Sequence, residues 1–263
     1  DLCSELIDKA ELTVSDISGI GIGSPGTIDN KNGVVVYANN LGWYDVPLAA
    51  ELNKYINVPV NIENDANAAA YGEFVECGGD VDSFVAITLG TGVGGGVIID
   101  RKIYRGFNGA GGELGHTVLI HGGEPCTCGN DGCWESYASV TALIRQTKAA
   151  IAAHPESIMA KDEKVSGRTA FNAAKAGDKA GQEVVDKYIE YVASGITNII
   201  NIFQPNILVI GGGISKEGDY LLNPIKEYAK KHSYCKAVAQ TDIRIASLMN
   251  DAGIIGAALA CEQ

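Results

Sequence analysis

The sequence predicts an α/β protein of two lobes built on mixed sheets, and three observations lead there. Strand-like and helix-like patterns alternate along the chain. Short apolar runs at residues 58–62 and 207–210 end at polar or glycine-rich turns that open into helical segments. A chain of 263 residues, 46% of them apolar, is also long enough to bury two modest cores.

Taken in order, residues 17–22 read as a strand with Ile20 and Ile22 on one face, ending in the turn Gly23-Ser24-Pro25-Gly26, and residues 33–37 as one arm of a hairpin. A helix is expected from Asp45, capped by that residue, with Pro47 tolerated in the first turn and Leu48, Leu52, Tyr55 and Ile56 on one face. Residues 58–62 form a strand that delivers Glu63-Asn64-Asp65 to an alanine-rich helix over 66–76. Cys77-Gly78-Gly79-Asp80 reads as the lobe boundary. Strands at 84–89 and 95–99 follow, joined by a glycine loop, and a long helix is expected over 134–153. Residues 154–167 are weakly patterned and read as a surface connection, after which a helix pair runs to Phe203. A buried strand at 207–210 ends at Gly211-Gly212-Gly213, and the small-residue helix at 253–260 is expected to pack close to another element. The expected lobes are 1–77 with 250–263, and 78–249.

A formal charge of −12 and a pI near 4.7 argue against a nucleic-acid surface, because phosphate backbones are held mainly by Lys and Arg. No apolar run approaches the roughly 18 residues of a membrane span. The opening Asp1-Leu2-Cys3-Ser4 has no basic and apolar leader pattern, so the expected location is cytoplasmic.

The most informative segment is Glu113-Leu114-Gly115-His116 followed by Cys126-Thr127-Cys128-Gly129-Asn130-Asp131-Gly132-Cys133-Trp134-Glu135. Three thiols and one imidazole are the ingredients of a structural Cys3His zinc site, and Gly129 and Gly132 let the backbone fold the third cysteine onto the first two. Such a metal organises its surroundings instead of performing chemistry, fixing Glu113, His116 and Glu135 where they can face a small polar ligand. The bland alternative is a chance cysteine-rich loop with solvated acids. Cys3, Cys77, Cys235 and Cys261 lack partners at metal spacing and read as ordinary residues.

Two glycine clusters complete the set. In Gly90-Thr91-Gly92 the bare amides and a hydroxyl can approach a phosphate, but the lysine of a P-loop is absent and the glycines lead into another strand. Taken alone, this loop is a β-turn about as often as a phosphate loop. Gly211, Gly212 and Gly213 follow a strand and precede a helix, a better place for a nucleotide and also an ordinary connection. Asp65, at a strand-to-helix junction, suits a helix N-cap, a role that does not exclude a chemical one.

The order of these motifs resembles that of the ROK family of sugar kinases and sugar-responsive regulators, most closely its bacterial glucokinases. ExGH stands at Glu113 to His116, CxCGxxGCxE at Cys126 to Glu135, and the acidic segment at Glu63-Asn64-Asp65-Ala66-Asn67. The resemblance implies an actin-like ATPase (ribonuclease H-like) fold with ATP lying between two lobes, and zinc held by His116, Cys126, Cys128 and Cys133. It implies that Asn64, Asp65, Glu113, His116 and Glu135 bind sugar hydroxyls, with His116 serving metal and sugar through different ring nitrogens. Gly90, Thr91, Gly92 and Gly211 to Gly213 would meet ATP with its magnesium, and Asp65 would be the general base that turns glucose into glucose 6-phosphate. A homodimer is the implied assembly. Family members open with a strand and a DxGGT turn that contacts the ATP phosphates. This chain shows no such segment, so it is expected to lack the first strands of the N-terminal lobe and to transfer phosphate poorly. The alternatives are the effector domain of a sugar-sensing ROK regulator, or a kinase for another hexose such as N-acetylmannosamine.

Overall fold

In the computed structural model, which describes residues 2–78 and 80–262, the chain opens with α1 (Leu2–Lys9), none of whose residues is buried. Next come β1 (Ile20–Ser24), β2 (Thr27–Asp29), β3 (Val34–Ala38) and β4 (Trp43–Val46). The strand expected at 17–22 starts later because residues Val14–Asp16 form a 3-10 turn, closed by the Asp16 carboxylate accepting the Thr13 amide at 2.8 Å. The arm expected at 33–37 is the middle strand of an antiparallel β2-β3-β4 sheet. Val46 pairs with Val35 in that sheet, so Asp45 is drawn into β4 at φ 48° and does not cap a helix. The helix starts after Pro47 as α2 (Leu48–Asn53), and Tyr55, expected on its apolar face, is 87% exposed.

Strand β5 (Val60–Asn64) runs parallel to β1 with Ile22 opposite Ile62, and leads directly into α3 (Asp65–Gly78). The boundary read at residues 77–80 includes Gly79, which lies outside the described residues. Then follow β6 (Ser83–Leu89), β7 (Val93–Ile99) and β8 (Lys102–Ile103). The single helix expected over 134–153 is broken. Ser139 is extended (φ −75°, ψ 162°) and its hydroxyl accepts the Ala142 amide at 3.1 Å, so the segment divides into α4 (Glu135–Ala138) and α5 (Val140–Ala153). A serine that caps from its own side chain competes with the helix it interrupts. The connection after α5 holds a 3-10 turn, Ile158–Lys161, that buries Met159. The remaining elements are α6 (Thr169–Lys175), α7 (Lys179–Phe203), β9 (Ile207–Gly211), α8 (Asp219–His232), β10 (Asp242–Ile245) and α9 (Ala252–Leu259).

The chain divides into two compact units, Asp1–Gly79 with Gly96–Gly112 and Asn250–Gln263, and Asp80–Gly95 with Glu113–Met249. Residues 96–112, counted with the larger lobe in the sequence reading, group with the first unit. In that unit Ile28, Val35, Ala38 and Ile62 form a core against which Trp43, Val46 and Val60 pack. Helix α9 crosses α3 closely enough that a Cβ on Gly256 would fall 1.7 Å from the Ala68 carbonyl oxygen, and one on Gly72 2.5 Å from that of Ala252. This is the close approach expected of the small-residue tail.

In the second unit the strand order is β10-β9-β6-β7, continued by β8 where the chain passes into the first unit within β7. Every residue of β9 is buried, as a parallel strand covered on both faces requires. Helix α7 packs with α4, α5, α6 and α8. Its Gly195 leaves room for the Trp134 indole, whose Nε1 donates to the Tyr191 carbonyl at 2.9 Å. Trp134 thus ties the chain just before α4 to the core of the unit.

Candidate active site

The first unit carries Asn64 and Asp65 where β5 becomes α3. Asn64 Oδ1 accepts the Ala66 amide at 3.0 Å and the Asn67 amide at 3.1 Å, while its Nδ2 donates to the Gly26 carbonyl at 3.0 Å. The helix cap that Asp65 was suited to provide is therefore made by its neighbour. Asp65 is the first residue of α3 and is exposed, its Oδ1 2.9 Å from the Ala66 amide.

Beneath this junction lies a charged network to which the sequence reading gave no role. Glu63 is 1% exposed, and its Oε2 accepts from Arg105 Nε at 2.8 Å and Nη2 at 2.6 Å and from Asn30 Nδ2 at 3.2 Å. Its Oε1 accepts the Asn64 amide at 2.9 Å and the Asn67 side chain at 3.2 Å. A buried carboxylate saturated in this way holds the junction from below. The one signal in the sequence was the position of Glu63 beside Asn64. Arg105 sits among glycines with no periodicity to single it out.

The second unit carries Glu113, His116 and Glu135. The ligand atoms of His116, Cys126, Cys128 and Cys133 all lie within 4.8 Å of one another. Cys126 Sγ is 3.6 Å from His116 Nδ1, and Cys128 Sγ is 3.6 Å from Cys133 Sγ. A tetrahedron with metal–sulfur distances of about 2.3 Å has edges of about 3.8 Å, so this donor set fits a zinc ion. The loop has little regular structure of its own, only the isolated bridges Val118↔Cys133 and Pro125↔Asp131. Burial, reinforced by the neighbouring thiols, pushes the Cys133 thiol up to about 12, whereas the Asn130 amide holds Cys128 below the ordinary thiol value. A bound cation compensates the ionised form of such thiols.

Glu113 precedes the 3-10 turn Leu114–His116 and is exposed, and His116 is half-buried. Glu135, the first residue of α4, is half-buried, its Oε2 accepting the Val93 amide at 2.9 Å and its Oε1 3.9 Å from Cys126 Sγ. The two glycine clusters, far apart in sequence, are neighbours here. Gly212 adopts φ 89°, and a Cβ on it would fall 2.3 Å from the Leu89 carbonyl oxygen, immediately before Gly90. Thr91 and Gly90 are held in turn by the start of α5, where the Thr141 hydroxyl donates to the Thr91 carbonyl at 2.7 Å and the Val140 amide to that of Gly90 at 2.8 Å. Gly211 ends β9, and Gly213 opens a short 3-10 turn ahead of α8. No helix among the described residues is long and apolar enough to cross a membrane.

Comparison with known proteins places these parts in context. The chain is 43% identical to the glucokinase of Halalkalibacterium halodurans over 92% of this chain and 75% of that protein. Among solved structures it matches a ROK family glucokinase from Streptomyces griseus, determined with glucose and AMPPNP, at TM-score 0.81 and 33% identity over 99% of this chain and 88% of that one. It also matches a ROK transcriptional regulator, a homolog of the E. coli MLC protein, at TM-score 0.86 and 29% identity over 99% of this chain and 66% of that one. The mixed α/β fold is accordingly that of the ROK glucokinase structures, the actin-like ATPase fold. The model of the ROK family matches residues 1–263 in full, and the chain belongs to that family.

Proposed function

We propose that this chain is an ATP-dependent hexose kinase that converts glucose to glucose 6-phosphate, with Asp65 as its general base. A sugar hydroxyl is a poor nucleophile. As its oxygen bonds to the γ-phosphorus, the proton passes to the Asp65 carboxylate and the bond from phosphorus to the bridging oxygen breaks, releasing ADP. The observation that carries this reading is the division of labour at the head of α3: Asn64 supplies the cap and Asp65 presents an exposed carboxylate.

Asn64, Glu113, His116 and Glu135 hold the sugar hydroxyls in this reading. A carboxylate acceptor distinguishes epimers because a displaced hydroxyl leaves it without its donor. His116, Cys126, Cys128 and Cys133 hold a structural zinc, and His116 Nδ1 is the nitrogen on the thiol side, so Nε2 serves the sugar. Gly90 to Gly92 and Gly211 to Gly213 line the path of ATP, whose bound magnesium neutralises phosphate charge. The family resemblance carries over the expectations of a homodimer and a cytoplasmic location.

The test is transfer of labelled γ-phosphate from ATP and magnesium to a panel of hexoses. Glucose is expected to accept phosphate, and Asp65→Asn to lower kcat by about 10²- to 10⁴-fold while glucose still binds. Glucose binding without transfer, in the product of the complete source gene, would favour the second reading, a sugar-sensing regulator, which the match to the MLC homolog supports. Transfer to N-acetylmannosamine in preference to glucose would keep the chemistry and change the substrate.

A further inference from the structure

We infer that Gly92 and the Val93 peptide are positioning elements of the sugar-binding side chains, setting the separation between Glu135 and the turn that carries Glu113 and His116, so that the glycine loop is built for the sugar as well as for phosphate. The inference rests on the proposed role of Glu135 toward the sugar.

The loop's own hydrogen bonds point this way. A phosphate cradle works by aiming free amides at an anion. Here the Gly90 amide donates to the Gly92 carbonyl at 3.0 Å, and the Val93 amide donates to Glu135 Oε2 at 2.9 Å. Two amides are thus committed within the protein. The missing side chain at Gly92 is not a backbone requirement, since its φ lies outside the left-handed region. The space beside it is taken by the Glu135 side chain: a Cβ there would fall 2.2 Å from Glu135 Oε2 and 3.1 Å from its carboxyl carbon, so the carboxylate would have to move aside. By contrast, a Cβ on Gly90 would meet only the Gly92 carbonyl oxygen at 4.0 Å.

The carbonyl of the same residue, Val93, meets the ExGH turn. A Cβ on Gly115 would fall 2.1 Å from the Val93 carbonyl oxygen, and one on Gly95 2.8 Å from Leu114 Cδ1. One residue, Val93, therefore has its N–H on the Glu135 carboxylate and its C=O, in the following peptide, against the turn Leu114–His116. Three glycines, at 92, 95 and 115, allow both contacts at once. A carboxylate pushed aside by a methyl group loses its amide donor and its aim toward a sugar hydroxyl.

The experiment measures equilibrium binding of labelled glucose and, separately, of ATP, for the unaltered chain and Gly92→Ala, together with unfolding free energies for Gly92→Ala, Glu135→Ala and the double variant. Gly92→Ala is expected to weaken glucose binding measured without nucleotide by about tenfold or more, the effect of losing a charge-assisted hydrogen bond. In the stability cycle, Gly92→Ala is expected to destabilise the chain when Glu135 is present and to have little effect in the Glu135→Ala background, because the clashing carboxylate is gone. Weakened ATP binding with unchanged glucose binding, or additive stability effects, would overturn the inference. Failure of the unaltered chain to bind any hexose would overturn the proposed function, and the stability cycle would still report on the contact.

Discussion

At the scale of single residues, the junction between β5 and α3 is capped by Asn64, which leaves Asp65 exposed with its Oδ1 accepting the Ala66 amide. A carboxylate that caps a helix is occupied by amides, and a general base needs its oxygen turned toward substrate. Asn64 takes the first task, and Glu63 anchors the junction by accepting from Arg105, Asn30, Asn67 and the Asn64 amide. Arg105 is 28% exposed at its side chain and Glu63 only 2%, so removing the arginine strands the acid more than the reverse. Arg105→Met is expected to lose about 3 kcal/mol of stability in urea unfolding, the low end for a broken buried pair. Adding Glu63→Gln to Arg105→Met is expected to recover part of that loss, because a neutral amide needs no counter-charge. If the double variant is less stable than the single, the network acts by packing alone. Little of this was legible in the sequence: Glu63 and Asn67 stand in one acidic segment, but Asn30 and Arg105 share no motif with it. The clustering of His116, Cys126, Cys128 and Cys133 was legible because their spacing alone brings the thiols close to one another.

At the scale of elements, capping and close approach decide most boundaries. Asp178 opens α7 by accepting the Gly181 amide at 2.8 Å and the Ile158 amide at 2.9 Å, and these bonds hold its carboxyl below the ordinary value. A group whose pKa is depressed on folding stabilises the protein above its unfolded value, about 3.9, and loses that contribution as pH falls through the folded value. The melting temperature of the unaltered chain is therefore expected to fall more steeply than that of Asp178→Asn as pH is lowered from 5 toward 3. Equal slopes would remove this carboxylate from the acid response.

The α3–α9 crossing offers a paired prediction. Gly256→Ala is expected to lose about 3 kcal/mol, an overpacking value, because its Cβ would lie 1.7 Å from a carbonyl oxygen. On the same helix a Cβ at Gly253 meets nothing within 4 Å, so Gly253→Ala is expected to gain up to about 1 kcal/mol from helix propensity. Urea unfolding of both variants checks the sign. On the proposed zinc site, the Cys126–Cys133 loop, with two isolated bridges, depends on its ion: a strong chelator is expected to release about one zinc per chain and to raise amide exchange around residues 116–135 before the rest of the second unit responds. Retained protection after complete metal loss would make the loop self-supporting.

At the scale of the whole molecule, a formal charge of −12 repels phosphate backbones, and the chain is expected not to retard duplex DNA at about 0.1 M salt in a gel-shift measurement. A shift would bring the regulator reading forward for this sequence as it stands. The α/β class, the gathering of His116 with Cys126, Cys128 and Cys133, the buried strand β9 and the close-packed tail were readable along the chain, because each rests on local spacing or on periodicity within one element. What only the folded chain decided was which residues from distant positions share a peptide or a charge. It drew Asp45 into β4 because Val46 pairs with Val35, broke the long helix at Ser139, and gave the cap to Asn64 instead of Asp65. It also set Gly212 against Leu89 and Gly92 against Glu135. Such choices depend on competing partners brought together by long-range packing, and a partner separated by tens of residues leaves no periodic mark in the sequence.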